Sequence, residues 1–172
     1  MKAQSFETNR LIIKSTKKED TDFCLSIWLD EEMGKYLSDP PRDKAGDAYL
    51  KWKDNVEDYD GCYYFVAVSK ETGSYIGTCS AIPSEDNREW DIGYAIYKDH
   101  WCQGYGTEMI KGLIDYCCEN GGTSITAAVA KENRGSNALL RKLNFFIEKE
   151  GSFKKCETDI VYDEYLYRLD LE

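Results

Sequence analysis

The stretch Asp91–Cys118, DIGYAIYKDHWCQGYGTEMIKGLIDYCC, decides the fold. Its first seven residues, Asp91–Tyr97, are rich in β-branched and aromatic side chains and predict a strand. The segment Gln103–Thr107 predicts a glycine turn, and beyond it apolar residues recur at the helical spacing i, i+3, i+4 and i+7. These apolar positions are Ile110, Leu113, Ile114 and Cys117. Asn120–Gly122 predicts the helix end, because glycine readily adopts the left-handed conformation of a C-terminal cap.

Two glycines at a helix start suit the binding of a phosphate group. Gly104 and Gly106 let the main chain approach a ligand closely and direct unpaired N–H groups at one point, where the helix dipole adds positive charge. A P-loop is excluded, because Thr107–Glu108 stands where that motif has lysine and a hydroxyl residue. A dinucleotide fingerprint is excluded, because Met109 occupies the place of its third glycine. The glycine pair alone is equally consistent with an ordinary tight turn.

The residues around this turn carry a family resemblance. Trp101–Glu108, WCQGYGTE, after a strand that contains Asp-Ile-Gly-Tyr, resembles the acetyl-CoA motif of the GNAT superfamily of N-acetyltransferases, and more narrowly its RimJ/RimL-like branch. Three further segments match that branch in order, namely Thr8–Ile13 with the following Glu19–Asp20, Asn133–Phe145 and Asp163–Tyr167. The resemblance implies a GNAT-like acyl-CoA N-acyltransferase fold of the α/β (α+β) class. Such a fold has a central, mixed, mostly antiparallel, twisted sheet flanked by helices.

The predicted order of elements agrees with such a mixed sheet. Strands are predicted at Arg10–Lys14, Gly61–Val68, Tyr75–Ile82, Asp91–Tyr97, Ser124–Ala130, Phe145–Lys149 and Val161–Leu169, the last two of them paired. A capping box from Thr16 to Glu19 predicts the first helix, and further helices are predicted at about 43–54 and 136–143. Asn144 then takes the left-handed position after the last helix, where asparagine is the best residue after glycine.

Length and composition bound the remaining possibilities. With 172 residues, 42% of them hydrophobic, the chain is predicted to form a single domain over residues 1–172. Its net charge of −10 argues against a nucleic-acid or anionic-membrane partner, and no apolar run approaches membrane-spanning length. Seven cysteines without C-x-x-C pairs favour a reducing cytoplasm over a disulfide framework. With His100 as the only histidine, we predict no metal site.

The resemblance implies acetyl-CoA as the cosubstrate and assigns residues to it. The backbone that would cradle its diphosphate belongs to Gln103, Gly104, Tyr105, Gly106 and Thr107. The pantetheine arm would lie between Tyr94–Tyr97, with Ile96 as a contact, and Ser124–Ala130, two strands that splay apart in this family. Asn133 matches the asparagine that bonds the arm, and is also consistent with a turn residue or helix N-cap. The family usually has glycine at the position of Cys102 and a basic residue at that of Gln103.

The implied chemistry is direct attack of an amine on the thioester, which requires a group to take the amine proton. Asp91 aligns with the strand carboxylate of the family and is the predicted base, acting through water because aspartate is one methylene shorter than glutamate. An exposed charge at a strand start is the other interpretation. Ser136 aligns with the serine near the sulfur and is a predicted donor to the leaving thiolate, or alternatively an N-cap. Leu140 occupies the position of the tyrosine acid found in many GNAT enzymes.

Together these features predict an acetyl-CoA-dependent N-acetyltransferase that acts on a primary amine, either a protein N-terminus or a small molecule. A non-catalytic CoA-binding sensor or interaction module is the alternative that the missing tyrosine and the Cys102–Gln103 pair leave open. The edges of the terminal strands would allow a homodimer. Four aromatic residues fall in segments that line the acceptor side in this family, although aromatics at this density are also typical of a core. They are Tyr36, Trp52, Tyr59 and Tyr63.

Overall fold

The computed structural model describes residues 4–58 and 63–171, with Tyr63 described by its main chain alone. Its strands are β1 (Phe6–Glu7), β2 (Leu11–Ser15), β3 (Tyr63–Ser69), β4 (Tyr75–Pro83), β5 (Glu89–Ile96), β6 (Ser124–Ala130), β7 (Phe146–Lys154) and β8 (Val161–Asp170). Its α-helices are α1 (Thr21–Trp28), α2 (Asp47–Asn55), α3 (Tyr105–Glu119) and α4 (Arg134–Lys142). The predicted strand start at Gly61 and the aromatic Tyr59 lie outside the described residues.

One mixed sheet contains all the described strands, in the order β1-β2-β3-β4-β5-β6-β8-β7. β5 and β6 are parallel. Within the described residues, every other pair of neighbouring strands is antiparallel, including the terminal pair β7 and β8. The parallel pair needs a crossover connection, and α3 provides it. The predicted mixed, mostly antiparallel sheet is therefore confirmed.

Two hydrophobic cores lie on opposite faces of this sheet. Phe65 and Ala67 belong to the larger core, which includes the apolar faces of α3 and α4. Val66, between them in β3, belongs to the smaller core with residues of α1 and α2. Because successive strand residues point to opposite faces, α3 and α4 cover one face of the sheet and α1 and α2 the other. Trp52 is buried in the smaller core, as its core interpretation predicts.

The helix ends follow the local sequence signals. Gly121 after α3 has φ +89°, and the amide of Gly122 donates to the Cys117 carbonyl at 2.9 Å, which closes the predicted C-terminal cap. Asn144 after α4 has φ +67°, so its predicted left-handed conformation is also confirmed.

The predicted capping box at Thr16 is wrong. A short 3₁₀ helix, Lys18–Asp20, directly precedes α1. The carboxylate of Asp20 accepts a hydrogen bond from the Lys17 amide at 2.9 Å. The hydroxyl of Thr16 is buried and makes no hydrogen bond within the described residues. Asp20 is fully buried, and the Lys14 ammonium and the Tyr75 hydroxyl also donate to its carboxylate. These bonds compensate for its burial and hold it where it can cap the helix.

Two other helices differ from the prediction at their first residues. The second begins at Asp47 rather than near 43, with Gly46 as its N-cap, and the fourth begins at Arg134 rather than Ser136. Helix starts are set by which residue caps the free amides, and sequence patterns locate them to within a few residues.

Candidate functional site

A crevice opens where β5 and β6 stop pairing. The parallel register joins Glu89 to Ser124, Trp90 to Ile125 and Asp91 to Thr126, and it ends there. Both strands continue beyond it, β5 as far as Ile96 against β4 and β6 as far as Ala130 against β8. The two strands therefore diverge from the Asp91–Thr126 pair onward, and each presents one main-chain edge to the gap.

Main-chain groups of β5 line this crevice. The amide of Tyr97 donates to the Ile76 carbonyl at 2.9 Å, so this position directs its polar groups toward β4. Residues alternate in an antiparallel pair, so Tyr94 and Ile96 direct theirs into the crevice. The carbonyl of Ile96 accepts the indole N–H of Trp101 at 2.7 Å. The main-chain amide of Ile96, the predicted arm contact, therefore faces the crevice. Tyr94 directs a further N–H and C=O group into it.

The turn before α3 presents amides that the protein leaves unpaired. In the stretches that the structure describes, the main-chain N–H groups of residues 103–107 have no recorded protein acceptor, and the first bond of the helix runs from the Glu108 amide to the Gly104 carbonyl. Gly104 is the N-cap of α3 with φ +80°. Gly106 lies beside the crevice, since a Cβ there would be 3.7 Å from Ile96. The predicted phosphate cradle therefore has free donors at a helix N-terminus and adjoins the crevice.

The structure also explains one departure from the family pattern. Cys102 has φ +58°, in the left-handed region that favours glycine. The family glycine therefore serves the backbone of the turn, and the turn forms in this chain with cysteine at some conformational cost. The side chain of Gln103 bonds to the Asp99 carbonyl at 2.9 Å and so stabilises the turn.

Arg10 and Glu108 hold the cradle in place, and sequence reasoning missed their roles. The Glu108 carboxylate accepts the Thr8 hydroxyl, the Arg10 amide and Arg10 Nε, each at 2.6 Å. Arg10 also donates to the Gln103 carbonyl at 3.1 Å and lies over the Tyr105 ring, 4.2 Å from its centroid. The Arg10 side chain remains 41% exposed, so it places a positive charge beside the cradle. The signal was present as charged residues in two of the matching segments.

We expect Glu108→Gln to lower the free energy of unfolding by about 2 kcal/mol at neutral pH, because an amide replaces a carboxylate that accepts three hydrogen bonds. Burial raises the pKa of Glu108, but the bonds from Thr8 and Arg10 outweigh it and hold the pKa below the ordinary 4.5. The stabilisation is therefore complete above pH 4.5 and is lost as the pH falls through the lower folded-state pKa. Urea unfolding of both proteins should show the difference shrinking toward pH 3, and an equal difference at pH 3 and 7 would contradict the assignment.

Asp91 lies at the apex of the crevice. The Thr126 hydroxyl donates to its carboxylate at 3.0 Å, across the last paired residues of β5 and β6. The side chain is exposed on one side, yet the surrounding protein desolvates it enough to raise its pKa. The bond from Thr126 lowers the pKa in part, and the nearby Glu89 charge raises it again. A carboxylate with a raised pKa is better suited than an ordinary one to accept a proton near neutral pH.

The start of the fourth helix confirms the N-cap interpretation of Asn133. The Asn133 side chain accepts the Ser136 amide at 3.2 Å, so Asn133 is the N-cap of α4. Ser136 is consequently not a cap, and that interpretation of it is wrong. Its hydroxyl lies in the first turn of α4, close enough to influence the Tyr94 hydroxyl. Contact of Asn133 with the arm and donation by Ser136 to the thiolate stay predictions.

Asn137 is a structural residue that the sequence analysis did not single out. Its buried amide group donates to the Ala130 carbonyl at 3.0 Å and the Asn133 carbonyl at 2.7 Å. Its carbonyl oxygen accepts the buried Tyr167 hydroxyl at 2.7 Å. One side chain thus joins the end of β6, the start of α4 and β8. Asparagine inside a helix is unfavourable without such partners, and that was the available signal.

The loop between α1 and α2, residues 29–46, passes over the crevice. At one end Met33 Sδ accepts the Lys98 amide at 3.4 Å, just after β5. At the other, the Tyr36 ring packs on Tyr162 of β8, with ring centroids 5.5 Å apart. In the sheet β6 lies between β5 and β8, so the loop spans the strands that border the crevice.

This loop is fastened by a buried lysine. Lys155 is 3% exposed, and its Nζ donates to the carbonyls of Gly34 and Leu37 at 2.8 Å and of Lys35 at 3.3 Å. The adjacent Cys156 amide donates to the Ser38 carbonyl at 2.8 Å. The segment after β7 therefore fixes the shape of the 29–46 loop.

Comparison with known families identifies the fold and its chemistry. A family profile described as the acetyltransferase (GNAT) domain matches residues 10–145. The chain belongs to the GNAT acetyltransferase family. It is 30% identical over 177 residues to an uncharacterized N-acetyltransferase, p20, of Bacillus licheniformis, with 96% of each chain covered. A second GNAT relative, the uncharacterized N-acetyltransferase YoaA of Bacillus subtilis, is 26% identical over 95% of this chain and 94% of its own.

Solved GNAT structures share the fold. A spermidine N-acetyltransferase from Vibrio cholerae, in complex with CoA and spermine, superimposes with a TM-score of 0.81 at 16% identity, covering 94% of this chain and 95% of its own. A ribosomal-protein-S5-alanine acetyltransferase from Vibrio fischeri gives 0.72 at 21% identity, covering 96% of both chains. At these identities the likeness concerns the fold. The predicted GNAT fold and membership of the GNAT family are confirmed.

Membership of the GNAT family makes this protein an acetyl-CoA-dependent N-acetyltransferase. Its free amides at the α3 N-terminus and the adjoining crevice fit a diphosphate with an extended arm. Among residues 4–58 and 63–171 no cluster of His, Cys, Asp or Glu is arranged to hold a metal ion. No helix in those residues has the length and apolar character needed to cross a membrane.

Proposed function

We propose that this GNAT enzyme transfers the acetyl group of acetyl-CoA to a primary amine, of a protein N-terminus or a small molecule, by direct attack within a ternary complex. The observation that carries the proposal is the divergence of β5 from β6 beside the unpaired amides of residues 103–107. The diphosphate would accept those amides, with Arg10 as the nearby positive charge. The arm would pair with the crevice edge of β5, as an added strand does.

The acceptor would approach from the face of the sheet that carries α1 and α2. Trp28 of α1 donates to the Thr78 hydroxyl at 3.1 Å, and Thr78 lies opposite Ala95 of β5. Side chains two residues apart on a strand share a face, so Asp91 points to this side as well. The 29–46 loop borders the same entrance, and its contacts with Lys98 and Tyr162 limit the space there.

The charges at this entrance suit an amine. Burial and the Asp91 charge raise the pKa of Glu164 on β8, so the two carboxylates influence each other across the crevice. A protonated amine would be attracted to them, and Asp91, through water, would take its proton before attack. The net charge of −10 acts in the same direction over a longer range. The nitrogen would then bond to the thioester carbon as the carbon–sulfur bond breaks, and its second proton would pass to solvent.

A thiol-release assay tests the proposal. Purified protein and acetyl-CoA are offered polyamines, simple primary amines, and basic peptides with free or blocked N-termini. Release of CoA that depends on an acceptor supports acetyl transfer, and the blocked peptides separate the N-terminal amine from lysine side chains. Tight binding of acetyl-CoA without release in the presence of any acceptor would point instead to a CoA-binding module.

Substitution of the buried lysine tests the role of the 29–46 loop. We expect Lys155→Met to raise the KM for the acceptor about tenfold and leave the KM for acetyl-CoA unchanged, because three loop carbonyls lose their donor and the loop shifts. The matched control is Lys154→Met, since Lys154 is 58% exposed and bonds to Asp159 outside the loop. Equal effects of the two substitutions, or a rise confined to the KM for acetyl-CoA, would reject this role.

A further inference from the structure

Tyr94 of β5 has a buried hydroxyl with no hydrogen-bond partner in the described part of the chain. Its ring packs against the larger core, on the face of the sheet that carries α3 and α4. Leaving a buried hydroxyl unpaired costs about 1–3 kcal/mol, and native proteins rarely tolerate it without a reason. Such a donor is available to a group that the protein itself does not supply.

The position of Tyr94 in the crevice suggests what that group is. Tyr94 lies three residues beyond the last paired residue, Asp91, and two residues before Ile96, which adjoins Gly106 of the cradle. At a rise of about 3.3 Å per residue, Tyr94 is roughly 10 Å along the strand from Asp91 and roughly 7 Å from Ile96. Along β5, Tyr94 therefore lies between the phosphate cradle and the apex of the crevice.

Asp91 and Tyr94 point to opposite faces of the sheet. Their residue numbers differ by three, an odd number, so Asp91 points to the α1 and α2 face and Tyr94 to the α3 and α4 face. The amine gives up its proton on the first face. A thiolate that leaves on the second would meet the first turn of α4, with the Tyr94 and Ser136 hydroxyls.

We propose that the Tyr94 hydroxyl donates a hydrogen bond to the CoA sulfur as the thiolate leaves. This inference rests on the proposed acetyl transfer and adds a catalytic residue to it. Asp91 has taken one amine proton through water before attack. The carbon–nitrogen bond then forms, the electron pair of the carbon–sulfur bond passes to sulfur, and the second proton of the nitrogen passes to solvent. Tyr94 keeps its own proton, and the thiolate is protonated from solvent after release. The tyrosine thus acts on the same leaving group as the tyrosine acid that is missing at Leu140.

The protonation state of Tyr94 agrees with this role. Desolvation raises the pKa of Tyr94 to about 12, while the Ser136 hydroxyl lowers it in part without meeting hydrogen-bond geometry. An ordinary thiol has a pKa of about 8.5, so the thiolate is the weaker base and the proton stays on the phenol oxygen. A charge-assisted hydrogen bond to a developing anion strengthens only as the thiolate forms, and so increases the rate rather than ground-state binding.

Comparison of two buried tyrosines tests the proposal. We expect Tyr94→Phe to lower kcat on the order of tenfold or more, with the Kd for acetyl-CoA unchanged. Its stability toward urea in the absence of CoA should be equal to or greater than that of the parent, because an unpaired hydroxyl is removed. The control Tyr167→Phe loses a hydroxyl bonded to Asn137 and should be less stable than the parent.

Each other outcome overturns the proposal. An unchanged kcat in Tyr94→Phe would show that the hydroxyl does not act on the thiolate. A loss of stability equal to that of Tyr167→Phe would show that it has a structural partner. A weaker Kd for acetyl-CoA with unchanged kcat would place its bond on the bound arm. A parent enzyme that releases no CoA with any acceptor overturns the proposed function and this inference together, which distinguishes that failure from the other three.

Discussion

Replacement of Asp91 by asparagine is expected to lower the rate of acetyl transfer at neutral pH by at least about tenfold. Asparagine keeps the size and the bond from Thr126, which measures 3.0 Å, but it cannot accept the amine proton. Because burial raises the pKa of Asp91, kcat/KM of the parent should decrease as the pH falls through that raised value, where the base becomes protonated. The substitution should remove this acid limb of the pH profile.

Glu89 provides a matched control for this experiment. It lies two residues before Asp91 on the same face of β5, but its carboxylate is engaged by Arg168 at 2.8 Å. Glu89→Gln should leave the rate on the plateau unchanged and move the acid limb to lower pH, since the Glu89 charge raises the pKa of Asp91. If kcat/KM of Asp91→Asn equals that of the parent across the pH range, Asp91 is not the base.

A second large effect is expected at the phosphate cradle. Gly104→Ala should raise the Kd for acetyl-CoA about tenfold, because a side chain at φ +80° is strained and its relief turns the neighbouring amides away from a common point. The added Cβ itself makes an ordinary contact, 3.5 Å from the Arg10 guanidinium, so the effect comes from the backbone rather than a clash. Isothermal titration with acetyl-CoA measures it.

Gly121→Ala, at the other end of α3, is the control that distinguishes an effect on acetyl-CoA binding from an effect on stability. Gly121 has φ +89°, and a Cβ there would have no atom within 4 Å, so Gly121→Ala carries comparable backbone strain far from the cradle. Both substitutions should lower the free energy of unfolding by about 1 kcal/mol, and only Gly104→Ala should weaken acetyl-CoA binding. If the two variants bind acetyl-CoA with equal affinity, the main chain of residues 103–107 does not bind the diphosphate.

Local features of the fold could be predicted because they depend on neighbouring residues. The strand, glycine turn and helix of residues 91–118 form where their composition and spacing indicate, and Gly121 and Asn144 adopt the left-handed caps expected of them. The capping box failed for a different reason. A capping box at Thr16 needs the Thr16 amide for Glu19, but that amide donates to the Tyr64 carbonyl at 2.9 Å. Asp20 instead accepts the Lys17 amide, and Lys14 and Tyr75, which lie in two different strands, also bond to its carboxylate.

The supports of the candidate site could not be predicted in the same way. Glu108 bonds to a residue 98 positions earlier in the chain, and Lys155 to a carbonyl 121 positions earlier. Glu108 stands in a segment that matches the family, but its partner cannot be identified from that segment, and nothing around Lys155 distinguishes it from the exposed charges of the chain. Their roles arise when the sheet brings β2 beside α3 and the end of β7 beside the 29–46 loop.

The sequence alone determined the family, the mixed sheet and the glycine turn before α3, since four short motifs and the periodicity of apolar residues encode them locally. The tertiary structure decided where β5 and β6 diverge, which faces Asp91 and Tyr94 occupy, and that the Tyr94 hydroxyl has no partner among the residues that the structure describes. These depend on strand register and on the packing of distant segments. A hydroxyl is unpaired, or a carboxylate desolvated, only in relation to everything folded around it.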